Sequence, residues 1–353
     1  MLSFLRRLKL SYAAYNVFQH RRLVHNLPLY QRLGLKKQYF SPISSRDFAH
    51  LPPDAGLPPV APLAERLAAS PTFRALPATS QASLLAFEEN GFAILPGFFD
   101  EETVDGINQE LANLIATKQI DVRYRNKFMF VFRQSARVRA AGEGALRAVV
   151  ATLLGHDAAL FQSINFLTGS EQHTHSDSIH MSTFPLGGMA AAWVALEDIT
   201  PGNGPLDYYP GSHKLPYYLN ADYANEGTSW LIGDKQYTEY EATIAQKIAE
   251  AGIEKQLFLA RKGDVFIWHA NLMHGGEPHL DKLFDRPDVR REPRLHRRRA
   301  PQRLVNSTEV EPRDEDRDHG AVVPERLGEA RPAPSEALEV VAHAEIGSLH
   351  EKR

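Results

Sequence analysis

Three side chains place the tightest constraint on what this chain can fold into. His175 and Asp177 form an H-x-D pair, and His274 follows the apolar, strand-like run 265–268 later in the chain. In an extended strand, residues i and i+2 point to the same side, so both members of the pair can reach one metal ion. Two histidines and one carboxylate form the facial triad of non-haem Fe(II) sites, which leaves the opposite coordination positions open. The pattern therefore favours a β scaffold that brings the pair and the distant histidine together.

Other histidines compete for the same role. His173 is the main alternative ligand because it shares the strand face of His175. We interpret His180, His213 and His269 as structural histidines. His175 is preferred because the H-x-D pair and the later His-Gly sequence together fit one site.

Composition excludes several other chemistries. The 353 residues include no cysteine, which excludes disulfides, thiolate nucleophiles, iron–sulfur clusters and cysteine-bound zinc. The formal net charge of -3 gives no overall attraction to nucleic acid, so no nucleic-acid partner is expected. No apolar run approaches the roughly 18 residues that span a bilayer.

The chain divides into four segments by composition. Residues 1–50 form a basic segment in which nine Lys and Arg residues precede the first acidic residue, Asp47. This segment is typical of a weak membrane-surface contact, of an organelle transit peptide, or of an extension packed on the domain. Residues 51–78 form a Pro/Ala-rich linker and residues 79–282 form the catalytic body. We expect a cytoplasmic protein, with organelle targeting by the basic N-terminus left open.

The fourth segment, residues 283–353, changes character abruptly. It holds 29 charged residues among 71 and a single aromatic residue, Phe284. Such a segment cannot bury enough apolar surface to offset its ordering entropy, so we expect most of it to be disordered.

Local patterns in the body predict mainly short strands with flanking helices. Asp100 can cap a helix, because its side chain can accept from an N–H of the first turn. Short strands at fairly regular spacing indicate a sandwich or barrel of the jelly-roll type. The predicted helices are 80–89, 101–116 and 144–154, and the predicted strands are 91–95, 128–133, 160–167, 189–196 and 265–269.

Five fragments, in a fixed order from about residue 87 to residue 276, resemble the phytanoyl-CoA dioxygenase family of Fe(II)- and 2-oxoglutarate-dependent oxygenases. Each fragment alone is weak, and the order makes them specific. They are ENGFAILPG at 89–97, HSD at 175–177, AWVALEDIT at 192–200, NGPLDYYPGSHK at 203–214, and GD at 263–264 followed by HG at 274–275.

The resemblance implies a double-stranded β-helix (cupin-like jelly roll) with His175, Asp177 and His274 as iron ligands. It implies oxidative decarboxylation of 2-oxoglutarate by O2, coupled to hydroxylation of a small-molecule or acyl, lipid-like substrate, with ascorbate as a further candidate cofactor. Because Asp177 is present, hydroxylation is favoured over halogenation, which needs that coordination position for chloride. Trp193 matches a position near the cosubstrate, and Gln162 and Asn165 are weaker candidates for the pocket wall.

The chain departs from the family after the distal histidine. The family places a basic residue, usually Arg, about a dozen positions later, where it pairs with the distal carboxylate of 2-oxoglutarate. Arg286 has about the right spacing, but Pro287 follows it and the expected apolar strand is missing there. Either Arg286, Arg290 or Arg291 takes the role, or the reading frame is shifted from about residue 283, which we favour slightly.

Two other functions stay open at this point. One is a catalytically silent jelly-roll protein that binds metal or ligand and lacks an intact 2-oxoglutarate anchor. The other is a zinc hydrolase with the same three ligands, disfavoured by the fragment at 203–214. The substrate-facing candidates are the loops 178–188 and 215–240.

Overall fold

The structure is a computed structural model. It describes residues 8–43, 45–48, 50–51, 59–120, 127–181, 183, 186–225, 227–228, 230–233 and 235–280, together with the backbone of 337–344. The helices are α1 Lys9–Val17, α2 His20–Leu23, α3 Leu27–Arg32, α4 Leu63–Ala69, α5 Pro71–Ala75, α6 Ala78–Leu85, α7 Phe87–Asn90, α8 Glu101–Ala116, α9 Ala136–Glu143, α10 Ala145–Leu154 and α11 Tyr237–Ala251. The strands are β1 Phe92–Leu95, β2 Lys127–Met129, β3 Ala158–Phe166, β4 Met189–Ala195, β5 Leu206–Tyr208, β6 Gln256–Phe258, β7 Val265–His269, β8 His274–Gly276 and β9 Ala337–Ala344.

The strands form two antiparallel sheets. The larger has the order β1-β7-β4-β9-β3-β2, and the smaller has the order β6-β5-β8. The layout of sheets with flanking helices agrees with the sequence analysis. The described helices contain about twice as many residues as the described strands, so the chain is richer in helix than the sequence indicated.

Strand β4 shows how the large sheet separates two apolar layers. All of its residues are buried, and alternate side chains point to opposite faces. Ala192 and Val194 pack in a cluster with Leu111 of α8, whereas Trp193 packs in a second cluster with Phe258 of the small sheet. The helices therefore cover one face of the large sheet, and the other face meets the small sheet.

Several local predictions are confirmed. Helix α8 begins after Asp100, whose Oδ1 accepts from the N–H of Thr103 at 2.8 Å. Strands β1, β3, β4 and β7 and helix α10 lie where the patterns placed them. The predicted strand 128–133 is shorter, because Phe130 adopts a positive φ of 61° and a 3-10 turn, Val131–Arg133, follows it.

The two N-terminal segments differ from their expected forms. Within the basic segment, α1, α2 and α3 precede a separate apolar cluster of Tyr30, Leu33, Leu35, Ile43 and Phe48. The expected linker contains α4 and α5, and its Leu63 and Leu67 are buried in the main core at helical i, i+4 spacing. The described body thus begins near Leu63, ahead of the expected residue 79. No helix of the described residues is long and apolar enough to cross a membrane.

Strand β9 lies inside the segment for which the sequence indicated disorder. Its backbone pairs with β3 on one side and with β4 on the other. It is therefore a central strand of the large sheet, and it follows the distal histidine in the sequence. Residues 281–336 and 345–353 lie outside the described residues, so disorder of those residues and the frame-shift hypothesis stay predictions.

We expect Val340→Pro to destabilise the protein by about 3 kcal/mol or more, because proline removes a ladder donor from a central strand. Val340 pairs with Ser163 of β3 and Ala192 of β4. Val340→Thr, which keeps the backbone N–H and the β-branch, is the matched control. Thermal unfolding measures both variants, and an unchanged midpoint for Val340→Pro would contradict the placement of β9.

Candidate metal centre

The backbone joins the two distant parts of the H-x-D…H pattern directly. The N–H of His175 donates to the carbonyl of His274, and the N–H of His274 donates to the carbonyl of His175, each at 2.9 Å. The two bonds form an isolated antiparallel bridge, and His274 is also the first residue of β8. The two histidines are therefore held side by side, with ring centroids 4.6 Å apart.

The three side chains converge on one point. His274 Nε2 lies 3.6 Å and His175 Nε2 lies 4.0 Å from Asp177 Oδ1. One donor atom from each of the three residues lies within 4.8 Å of the other two, and all three residues are buried. The H-x-D pair is not in a regular strand, since Asp177 opens a short 3-10 turn, Asp177–Ile179.

Backbone carbonyls orient both imidazole rings. His175 Nδ1 lies 2.8 Å from the carbonyl of His173, and His274 Nδ1 lies 2.9 Å from that of Leu272. In neutral rings both Nδ1–H groups donate to these carbonyls, which directs each Nε2 lone pair toward the metal position. In this structure His175 Nε2 accepts from the side-chain amide of Gln172 at 3.1 Å, a bond that a metal would replace. His173, the rival ligand, thus contributes its carbonyl oxygen to orienting His175.

Trp268 of β7 orients the carboxylate. Its indole Nε1–H donates to Asp177 Oδ2 at 2.7 Å, and its ring lies 4.8 Å from that of His274. Oδ1, the other oxygen of Asp177, faces the two imidazole nitrogens. A buried carboxylate costs free energy unless it is paired and hydrogen-bonded, and this bond satisfies the oxygen that points away from the metal position.

Helix α11 contacts the centre through two tyrosines. The N–H of Ser176, the residue between the two ligands, donates to Tyr240 Oη at 3.0 Å. Tyr237 Oη is hydrogen-bonded to His180 Nε2 at 3.0 Å, and the ring of His180 lies 5.3 Å from that of His175. The helix therefore fixes the H-x-D segment from the side of the expected substrate loops.

Burial favours the neutral form of two imidazoles near the centre, those of His175 and His180. It lowers the pKa of His175 well below its usual range, and the charges of His274, His180 and Lys127 lower it further. Burial likewise lowers the pKa of His180 to about 4, although the nearby Asp177 carboxylate acts in the opposite direction. Neutral imidazole is the form that binds a metal, so the centre is ready for an ion at neutral pH.

The donor set fits Fe(II). Two neutral imidazole nitrogens and one carboxylate oxygen on the same side of a position match the facial triad, and soft sulfur ligands play no part. A metal bound there would be held by His175, Asp177 and His274.

The other described residues that the sequence predicted for the site lie on opposite faces of the large sheet. Gln162 and Trp193 lie on the face of the large sheet that meets the small sheet, where Trp193 contacts Phe258 at a ring distance of 5.8 Å. Asn165 is three residues from Gln162 and pairs with Phe128 of the helix-side cluster, so it lies on the opposite face. Its expected place in the pocket wall is wrong because odd and even residues of a strand face opposite sides. Arg286 lies outside the described residues.

Sequence reasoning missed five residues around the centre: Lys127, Gln172, Trp268, Tyr237 and Tyr240. Only Gln172 and Trp268 carried a local signal, because each lies shortly before a ligand histidine in the sequence. Lys127 lies on β2, opposite Phe166 in register, with its Nζ 5.2 Å from that ring centroid. Phe166 belongs to the same apolar cluster as Trp268, so Lys127 lies on the face of the large sheet that carries Trp268.

The buried histidines make stability depend on pH. The pKa of His180 and that of His269 are lowered to about 4 by burial, from the ordinary 6.5. Between these values the unfolded chain binds more protons, so we expect the metal-free protein to lose stability as pH falls below 6.5, by at most about 3 kcal/mol per histidine at pH 4. Thermal unfolding at pH 7.5 and pH 5.5 measures this. His269→Gln should flatten the dependence, and an equal or higher midpoint at pH 5.5 in the parent protein contradicts it.

We expect Trp268→Phe to weaken divalent-metal affinity about 10-fold or more, since outer hydrogen bonds to ligands typically contribute that much. Phenylalanine keeps an aromatic ring beside His274 but removes the donor to Asp177. Calorimetric titration with Fe(II) or Co(II) under anaerobic conditions measures the change. Trp193→Phe, in the same apolar cluster, is the control and should stay within about twofold. Equal affinity in Trp268→Phe and the parent protein would refute the role of the indole N–H.

Comparison with known proteins agrees with this centre. The sequence profile of the phytanoyl-CoA dioxygenase family matches residues 87–282. Ectoine dioxygenase from Sphingopyxis alaskensis is 26% identical over 215 residues, which cover 55% of this chain and 69% of that protein. Phytanoyl-CoA dioxygenase domain-containing protein 1 from Mus musculus is 22% identical over 190 residues, covering 38% of this chain and 65% of that protein. The solved apo structure of EctD from S. alaskensis has a TM-score of 0.47 and 19% identity, covering 76% of this chain and 78% of that one.

The family profile spans more than half of the chain and includes every residue of the metal centre. The chain therefore belongs to the phytanoyl-CoA dioxygenase family and is a non-haem iron, 2-oxoglutarate-dependent oxygenase.

Proposed function

We propose that this protein hydroxylates an unactivated C–H bond of a small or lipid-like organic substrate, within a double-stranded β-helix. The observation that carries the proposal is the convergence of His175 Nε2, His274 Nε2 and Asp177 Oδ1 on one buried position. Asp177 supports hydroxylation over halogenation, because its carboxylate fills the coordination position that chloride would need. The relative named for ectoine supports a small-molecule substrate.

Bound iron, with 2-oxoglutarate and O2, supplies oxidative decarboxylation to succinate and CO2 coupled to hydroxylation. The chain's own residues prepare the position for that chemistry. The two Nδ1–H groups fix the imidazole rings, Trp268 fixes the carboxylate, and burial excludes bulk water from the three ligands. The protein thus binds, orients and shields, as expected for chemistry carried by a cofactor.

We assign the counter-charge for the distal carboxylate of 2-oxoglutarate to Lys127. A dicarboxylate that chelates the metal by one end needs a cation facing its other end. Lys127 supports this assignment by its place opposite Phe166, on the face of the large sheet that also carries Trp268. The role predicted for Arg286 stays a prediction. Substituting Lys127 and Arg286 one at a time distinguishes the two candidate anchors.

The substrate side of the centre is assigned to α11 and the loops at 178–188 and 215–240. The Tyr237–His180 pair lies next to His175 and presents polar atoms in an otherwise aromatic surrounding. A substrate held there needs both apolar surface and a hydrogen-bonding group, which agrees with a small or lipid-like molecule.

An anaerobic titration of the purified protein with Fe(II) and 2-oxoglutarate tests the proposal. We expect a weak visible charge-transfer band that saturates, and succinate formation when O2 is admitted. Asp177→Ala should lose both while keeping its fold. Lys127→Met should keep the band but weaken 2-oxoglutarate binding about 10-fold or more, as expected for loss of a charged hydrogen-bond partner.

Lys247→Met is the matched control, since Lys247 also lies over an aromatic ring, that of Tyr218, at 5.2 Å. An unchanged 2-oxoglutarate affinity in Lys127→Met would move the anchor to another cation, with Arg286→Met as the next variant. A folded parent protein that binds Fe(II) but gives neither band nor succinate would instead be a silent metal-binding protein.

A further inference from the structure

Helix α1 turns its apolar side outward. Leu10, Ala14 and Val17 recur at i, i+4 and i+7, which places them along one side of a helix, and Phe18 follows directly. Leu10 is 67% exposed, Val17 is 43% exposed and Phe18 is 85% exposed. A surface helix of a globular domain normally directs such a stripe toward the core, whereas none of the nine residues of α1 is buried.

A second exposed aromatic residue lies beside the first turn of α1. The N–H of Lys9 donates to the carbonyl of Trp230 at 2.8 Å, and Leu8 and Leu231 form an antiparallel bridge. Trp230 is 71% exposed, whereas the other two tryptophans of the chain, Trp193 and Trp268, are buried. Two segments far apart in the sequence thus present large apolar side chains from neighbouring positions.

The N-terminal segment that carries the apolar stripe is basic, whereas the sequence of the loop that carries Trp230 also includes Glu226 and Asp234. Nine Lys and Arg residues and no Asp or Glu occur in residues 1–46, in a chain whose formal net charge is -3. Arg21, in the following helix α2, is exposed. The positive charge is therefore concentrated in the segment that carries the apolar stripe.

We infer that Leu10, Val17, Phe18 and Trp230 form a docking surface for an anionic lipid bilayer. Apolar residues that insert at the headgroup level, beside basic residues that attract anionic lipids, are the two requirements for interfacial binding. Tryptophan is favoured at that boundary because its ring is apolar and its N–H is polar. A second copy of this chain is the poorer occupant, because it would bring the same positive charge against itself.

The inference does not rest on the catalytic assignment, since it uses no residue of the metal centre. The loop that carries Trp230 runs toward α11, whose Tyr237 and Tyr240 contact the centre. A bilayer at this surface would therefore lie on the side of the expected substrate loops.

Tryptophan fluorescence of the full chain tests the inference directly, because Trp230 is the exposed tryptophan. With vesicles of phosphatidylcholine and about 30% phosphatidylglycerol, we expect a blue shift and quenching by brominated acyl chains. Pure phosphatidylcholine vesicles should bind about 10-fold more weakly, and about 0.5 M salt should release the protein. Trp230→Phe should lose the quenching while still sedimenting with the anionic vesicles.

Cosedimentation with the same vesicles tests the helix face. Leu10→Ser/Phe18→Ser should lose about 10-fold or more of the binding, since each lost apolar side chain weakens insertion. Leu85→Ser is the matched control, because Leu85 is 52% exposed on α6, away from α1. Absence of binding by the parent protein, or equal binding by the double variant, overturns the inference. A dimer that Leu10→Ser/Phe18→Ser dissociates, without vesicle binding, would overturn it too and assign the face to a second copy.

Discussion

The reciprocal pair of backbone hydrogen bonds between His175 and His274 is the interaction on which the metal centre depends. Side chains could adopt many rotamers, but these two bonds fix the relative position of the two Cα atoms. The carbonyls of His173 and Leu272 then orient the rings. Because both steps use the backbone, the centre is set largely by the pairing of two chain segments. The third ligand, Asp177, is oriented separately by the side chain of Trp268.

Burial is what makes the arrangement both costly and useful. A carboxylate and several imidazoles without water are unfavourable unless each polar atom has a partner. Trp268 satisfies one oxygen of Asp177, and lowered histidine pKa values remove the cost of buried positive charge. The same neutral rings are the form that accepts a metal. The stability of the metal-free protein and its readiness for metal therefore share one physical cause.

The residues of the metal centre were predictable from the sequence where the signal lay within a short stretch of the chain. An H-x-D pair and a His-Gly after an apolar run indicated the three ligands. In the same way, the capping residue Asp100 predicted where α8 begins. The strand geometry expected for the H-x-D pair is not found, because Asp177 opens a 3-10 turn. Asn165 shows that a local signal can also be overlooked. It is three residues from Gln162 on one strand, and this spacing places the two side chains on opposite faces. Lys127 and Tyr240 carried no such signal, since their proximity to the triad depends on β2–β3 pairing and on the docking of α11.

Strand β9 is the clearest case of information that is not local. Its short apolar sequence lies inside a segment dominated by charged residues, and its place in the fold comes from backbone pairing with β3 and β4. Its sequence, ALEVVAHA, contains no Arg or Lys, and Glu339 stands opposite Trp193 in register. Strand β9 therefore brings no Arg or Lys to the large sheet. A bound dicarboxylate would still need a counter-charge, and a cation on a different strand, such as Lys127 on β2, is the physically consistent source.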